Sequence, residues 1–393
     1  MNRIMALCFG IMLSLSLIAQ PGKDITATGE SLIGLAKKIR PDFYIGSFFI
    51  GLNPHGAEND PSVAIFKNNF NIITAGIYMQ VTQREQEKYN LQFVDDLVEF
   101  SNANKMKVYL HPLFGGAQYC SDWLRKGTFT KEEIEQIMRD RVTSILGRYM
   151  GRIHYVDVVN ESLQGGDMTP DGQFDWRLED TWIKDGTGAN PWMKLGMYQG
   201  RKYRFPQYLV EAFRLSREIG GKDLELILNE HDNSTTKSHH GNNFLLLIKA
   251  MREEGIPVDG AGMQLHLRMK EGKIYEWDES INTIFDFDAF EAMLKQYEGA
   301  GINVHITEFD IHLPENATEA DFQLQGKCYA EVLKRAIQSP AVKTFKTWGF
   351  TDKNAWKPYK WNSYPLLLDE NFKPKPAYLR QVEMLKSLAR GKK

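Results

Sequence analysis

The feature that most restricts the fold is an eightfold alternation of short β-branched runs with amphipathic helical stretches. The runs lie at 43–48, 71–74, 107–111, 155–159, 224–229, 259–265, 303–307 and 344–350. Runs that are apolar end to end suit strands buried on both faces, as in a parallel sheet. Between them, Phe93, Val94, Leu97, Val98 and Ser101 share one helical face of 91–102, and Thr130 with Glu133 marks a capping-box start to a long helix. Further helices are expected near 31–40, 206–219, 244–254, 288–298, 318–338 and 377–388. Eight strand–helix units predict the α/β class and a single (β/α)8 TIM barrel. An open doubly wound sheet is the alternative, but no glycine-rich phosphate loop follows any run.

In such a barrel, chemistry collects at the carboxyl ends of the strands. That is where this chain places His111, Asn160, Glu161, Asn229, Glu230, Gln264, His266, Glu308, Asp310 and Trp348. A carboxylate at the tip of a buried strand is costly to desolvate, so Glu161 and Glu308 point to a task. Two carboxyl groups facing one glycosidic bond suit its hydrolysis, one as acid and the other as nucleophile or base. His266 is placed to donate to Glu308, with Asp310 holding its tautomer, and Asn160 to bond the neighbouring sugar hydroxyl. Taken singly, each has a plainer reading, a solvated glutamate or a satisfied core histidine. His239 and His240 are adjacent and read as an exposed loop rather than a metal site. His305 faces away from Glu308 and reads as packed against helices. Asn233 and Asn316 begin glycosylation sequons.

The 393 residues carry a net charge of −2, which argues against a nucleic-acid surface. Residues 1–19, with Arg3 ahead of an apolar stretch, read as a secretory signal peptide; a membrane anchor is the alternative. Residues 20–30 read as a polar lead-in, and the barrel domain occupies 31–393. The expectation is a secreted or periplasmic protein without stable membrane insertion, monomeric, with a polysaccharide or oligosaccharide as partner. Without the leader only Cys120 and Cys328 remain, and single buried thiols are expected rather than a disulfide framework. Neither a metal nor an organic cofactor is called for. The long aromatic connection from Ser162 to Phe205 should lie over the active face.

Five ordered segments carry a resemblance: Asp157–Glu161 (DVVNE), Gly260–Leu267 (GAGMQLHL), Ile306–Ile311 (ITEFDI), Trp348–Trp356 (WGFTDKNAW) and Pro365–Tyr378 (PLLLDENFKPKPAY). Together they resemble glycoside hydrolase family 10, mainly endo-β-1,4-xylanases, over roughly residues 31–388. The resemblance implies a retaining double displacement with Glu161 as acid/base and Glu308 as nucleophile. It also implies Asn160 on the sugar 2-hydroxyl, His266 and Asp310 as a relay beneath the nucleophile, and Trp348 and Trp356 as aromatic walls of sugar subsites. His111, Gln118, Asn229 and Gln264 stand at further substrate-binding or supporting positions.

The departures cluster on the glycone side. Gly76, Ile77 and Gln80 stand where the family has Glu, Asn and Lys, and Gly115 and Gly116 replace a Trp-His pair. The family's Asn-Asp-Tyr-Asn reads Asn229-Glu230-His231-Asp232. Intact machinery beside altered sugar contacts predicts a catalyst that reads a different or decorated sugar there, with the two glycines opening space for a side branch. The expected function is endo-acting cleavage of xylan or a related plant-type polysaccharide. The rivals are a non-catalytic glycan-binding barrel and the same chemistry on chain ends or small glycosides.

Overall fold

The computed structural model describes residues 31–48, 61–277, 283–356 and 364–391; the expected leader and lead-in, 1–30, lie outside them. Eight parallel strands form the barrel: β1 (Tyr44–Phe48), β2 (Ile72–Gly76), β3 (Lys107–His111), β4 (Tyr155–Asn160), β5 (Glu225–Glu230), β6 (Gly260–Met263), β7 (Asn303–His312) and β8 (Val342–Thr347). Each pairs with its chain neighbour, and β1 pairs with β8, Tyr44 opposite Thr344. The sheet is therefore closed, as eight strand–helix units require.

The helices fall where apolar period and caps place them. Thr130 accepts from the Glu133 amide and Glu133 reaches back, opening Lys131–Val142, which continues through a π turn at Thr143–Gly147. Thr318 and Asp321 form the same box ahead of Glu319–Gln338. Two starts differ from expectation. Pro61–Asn69 is an additional helix that buries little beyond Ile65 and Phe66, too weak a stripe to register as a period. The helix expected from Phe244 begins at His239, capped by Ser238, which draws His240 into the structure.

Inside the barrel, Ile72, Tyr109, Tyr155 and Ile227 form an apolar layer beneath the site. His305 belongs to this layer, within ring contact of Tyr109 and Tyr155 and bonded to Glu225 at 3.0 Å, so it points inward rather than against the helices. Lys346 is fully buried over the Tyr109 face, and desolvation drives its ammonium well below the ordinary range.

The connection after β4 is ordered as two hairpins, Leu163–Met168 with Phe174–Trp176 and Met197–Gln199 with Arg204–Pro206. Phe174, Trp176, Trp192, Tyr203 and Phe205 are buried in it and continue the main apolar core. It leans on the helix from His239, through Asn243 donating to the Gly166 carbonyl at 2.6 Å. Cys120 and Cys328 are buried free thiols. No helix among the described residues is long and apolar enough to cross a membrane.

One buried cation ties the mouth of the barrel to its outer layer. Arg141, fully buried, donates to the carbonyls of Leu113 (2.8 Å) and Ile77 (2.6 Å) and to Gln83 (3.3 Å). Burial lowers its pKa only to about 10, so it stays charged. Arg141→Met strands those acceptors without a donor. It is expected to lose about 1–3 kcal/mol in urea unfolding, the cost of leaving buried acceptors unpaired.

Candidate active site

β4 delivers Glu161 on an unusual backbone. Its φ is +54°, in the left-handed region that costs a non-glycine residue of order 1–3 kcal/mol, while its amide still donates to the Asn229 carbonyl on β5 at 3.0 Å. Leu265 turns the chain after β6 in the same way, at φ +61°. Glu308 sits in β7 where its register with β8 shifts, between Ile306 and Phe309. The three breaks surround the barrel mouth and aim side chains that regular strands would not.

Three amides join the two glutamates. Gln264 Nε2 donates to Glu161 Oε1 (3.0 Å) and to Asn160 Oδ1 (3.2 Å). Asn229 Nδ2 donates to Asn160 Oδ1 and to Glu308 Oε1, both at 2.8 Å, and its own oxygen accepts from Thr307. Gly262 is needed here, because a Cβ would be driven into the Asn229 amide. Glu161 and Glu308 are thus held in one cleft, and the chain between them uses Asn160, Asn229 and Gln264.

Glu308 faces only donors. Besides Asn229, His266 Nε2 lies 3.2 Å from its second oxygen, while His266 Nδ1 bonds Asp310 at 2.8 Å. His312 closes on the far oxygen of Asp310 at 3.1 Å. Burial opposes charge on the imidazole, but Asp310 and Glu308 overcome it and raise His266 to about 10. The imidazole is thus a cation held between two carboxylates. His111 is tied to Asp157 (2.7 Å), which also takes the Tyr109 hydroxyl, and stands 3.9 Å from Glu308. Trp348 stacks on Phe48 (4.3 Å between centroids) and meets His111 and His266 edge-on. Trp356 is 41% exposed and lies against Trp277, an aromatic partner that the family pattern did not point to.

Glu161 has three donors. Gln118 (2.8 Å) and Arg177 (2.5 Å) share Oε2, opposite Gln264 on Oε1. Burial pushes its carboxyl up, yet the charges of Arg177 and His231 and the donated bonds hold it down at about 2. Arg177 stands at no barrel strand tip and so gives no sequence signal, whereas His231 directly follows β5 and shows in sequence only as a departure from the family pattern. Arg177 follows the first hairpin of the insertion, and its other nitrogen reaches His231 Nε2 at 2.9 Å.

Glu230, His231 and His240 are the chelating cluster found among the described residues. His240 is therefore buried beside Glu230 and is not on an exposed loop. Arg177 Nη2 already lies 2.9 Å from His231 Nε2, so a metal cation would meet a fixed positive charge there. Asn233 is likewise buried, its amide given to the Gly262 carbonyl, and is closed to glycosylation.

The glycone side needs a correction. A Cβ at Gly115 would be driven into the Tyr119 ring, and one at Gly116 would lie 2.8 Å from Asp180. The space those glycines leave is filled by the protein's own side chains and is not open to a sugar branch. Tyr119 stacks on Tyr78 (6.0 Å, 14°), and its hydroxyl takes the Asn160 amide at 2.7 Å. Ile77 is buried in the core, and the Gln80 amide donates to the Gln118 carbonyl.

A closed parallel barrel with paired glutamates bridged across its carboxyl face defines a glycoside hydrolase. The family model described as Glycosyl hydrolase family 10 matches residues 34–384, and the chain belongs to that family. It is 28% identical to endo-1,4-beta-xylanase B of Thermotoga neapolitana over 82% of each chain, and 26% identical to a thermostable celloxylanase of Thermoclostridium stercorarium over 95% and 94%. Among solved structures it resembles native xylanase 10B from Thermotoga maritima (TM-score 0.74, 28% identity, 92% of this chain and 99% of that one). It also resembles xylanase 10B from Thermotoga petrophila RKU-1 in complex with xylobiose (TM-score 0.75, 27% identity, the same coverage).

Asp310→Asn removes the larger of the charges that raise His266. Its imidazole titration, followed by NMR, is expected to fall from about 10 toward the ordinary histidine range.

Proposed function

We propose that this chain is a retaining, endo-acting β-glycoside hydrolase that cleaves xylan or a related plant-type polysaccharide. The amide bridge that ties Glu161 and Glu308 across one cleft carries this reading. Glu308, ringed by donors, attacks the anomeric carbon. Glu161 protonates the departing oxygen and then takes a proton from water as the glycosyl–enzyme bond is broken. Asn160 faces the reacting sugar's 2-hydroxyl, His266 and Asp310 hold the nucleophile ionised, and Trp348 and Trp356 line sugar subsites. His111, Gln118, Asn229 and Gln264 keep these groups in place. The protein acts as a monomer on its polysaccharide, exported by way of residues 1–19, and the xylanase names of its relatives support the substrate class.

A polysaccharide panel with product sizing tests this. Wild-type protein is expected to release oligosaccharides from the interior of β-1,4-xylan, and Glu308→Gln to release none. Monosaccharide alone, or release by the variant, would sink the reading.

On the glycone side, ring faces replace hydroxyl-reading side chains, and Tyr119 in the Gly115 hollow is the centre of that change. Tyr119→Ala is expected to lower kcat/KM on xylo-oligosaccharides by roughly 3- to 10-fold, the worth of one aromatic stack. Gly115→Ala, which forces the ring out, should give a loss of the same size.

A further inference from the structure

The groups around Glu161 suit a carboxylate and not an acid. Its oxygens receive Gln118, Gln264 and Arg177, and each of these hydrogen-bond partners among the described residues is a donor. Protonation puts a hydrogen on one oxygen, and that hydrogen must point to the glycosidic oxygen. A glutamine can turn its amide and offer a carbonyl, but a guanidinium has five donors and no acceptor. Arg177 Nη1, at 2.5 Å from Oε2, is the contact that protonated Glu161 cannot keep.

Arg177 also has somewhere to go. It belongs to the insertion and not to the barrel, immediately after the Phe174–Trp176 strand. Its guanidinium already lies 5.8 Å from the ring of Trp182, which is 53% exposed at the surface. Its second contact, His231, is no carboxylate. Burial opposes charge on that imidazole, but Asp232, 2.7 Å from Nδ1, and Glu230 raise it to about 9, so its Nε2, 2.9 Å from Arg177, gives the guanidinium no anionic anchor. One charged bond therefore holds the side chain on Glu161.

Resting on the hydrolase reading, we propose that Arg177 is a latch on the acid/base: it holds Glu161 as a carboxylate in the sugar-free enzyme and yields its place when sugar enters on the leaving-group side. In the first step the proton passes from Glu161 to the glycosidic oxygen as the bond from that oxygen to the anomeric carbon breaks and the bond to Glu308 forms. Arg177 opposes this step. In the second, water gives its proton to Glu161 as its oxygen bonds the anomeric carbon and Glu308 leaves. Here Glu161 must be a carboxylate, and a returning Arg177 assists. The latch thus favours one half of the cycle and hinders the other, which makes it a positioning residue with an unusual signature.

The titratable groups facing Glu161 are Arg177 and Asp180 from the insertion, His231 after β5, Tyr78 and Tyr119 after β2 and β3, and Glu308 across the cleft. With Arg177 in place Glu161 is held low, so its acid form, required for the first step, is lost as pH rises. Removing the guanidinium lets burial raise it, and the acid form persists to higher pH.

The test uses the full chain with Arg177→Met on two substrates. On xylo-oligosaccharides, whose leaving group needs a proton, the alkaline limb of kcat/KM is expected to move up by about one to three pH units, and the neutral-pH value to rise. On a 2,4-dinitrophenyl β-xylobioside, whose leaving group needs none, kcat is limited by the second step and is expected to fall about tenfold. A limb that stays put, or equal losses on both substrates, overturns the latch and leaves Arg177 a structural residue. If the methionine variant fails to fold by thermal melting, Arg177→Gln carries the same expectation. Wild-type protein inactive on every β-linked polysaccharide would refute the hydrolase reading; an active enzyme indifferent to residue 177 refutes the latch alone.

Discussion

The site hangs on Asn160. Its carbonyl oxygen receives both Gln264 and Asn229, and those two amides reach on to Glu161 and Glu308 respectively. One acceptor thus sets the relative position of two glutamates brought in by strands far apart in the chain. Amides suit this work because they donate and accept without titrating, so the spacing holds across pH. The arrangement also explains why Gly262 leaves no room for a side chain, since the Asn229 amide occupies that volume.

Around this hub the charges are segregated. At Glu308 a cationic imidazole is clamped between that carboxylate and Asp310. At Glu161 the cation is Arg177, from a segment outside the barrel. In a buried setting each cation stabilises its carboxylate far more than it would in water. The difference lies in the supports: His266 is fixed by β7 carboxylates at both of its nitrogens, whereas Arg177 rests on an insertion, with a histidine as its other contact. That asymmetry matches the demands of double displacement, in which one carboxyl stays ionised until it is alkylated and the other must change its proton twice.

The barrel and both glutamates were legible from sequence, because buried parallel strands read as apolar runs and a polar residue ending such a run stands out. Asn160, Asn229, Gln264, His266 and Asp310 were legible for the same reason. What escaped was set by packing. Arg177 lies in an irregular segment whose path no local period specifies, and His240 became buried only because its helix starts five residues early on the Ser238 cap. Alternation counted from Glu308 puts His305 on the wrong side of β7, because a register shift lies between them. In sequence the glycines at 115 and 116 suggest room for substrate; only the fold shows that Tyr119 and Asp180 occupy the room they leave.

The pairing of β1 with β8 has a consequence for how the molecule comes into being. About 300 residues separate the two strands, roughly 15–60 s of ribosomal synthesis. Throughout that interval the nascent sheet has two open edges, one on β1 and one on the last strand made, each able to capture a foreign strand. The barrel cannot shut until Val342–Thr347 has emerged, and any nonsense codon upstream of that point yields a sheet without closure.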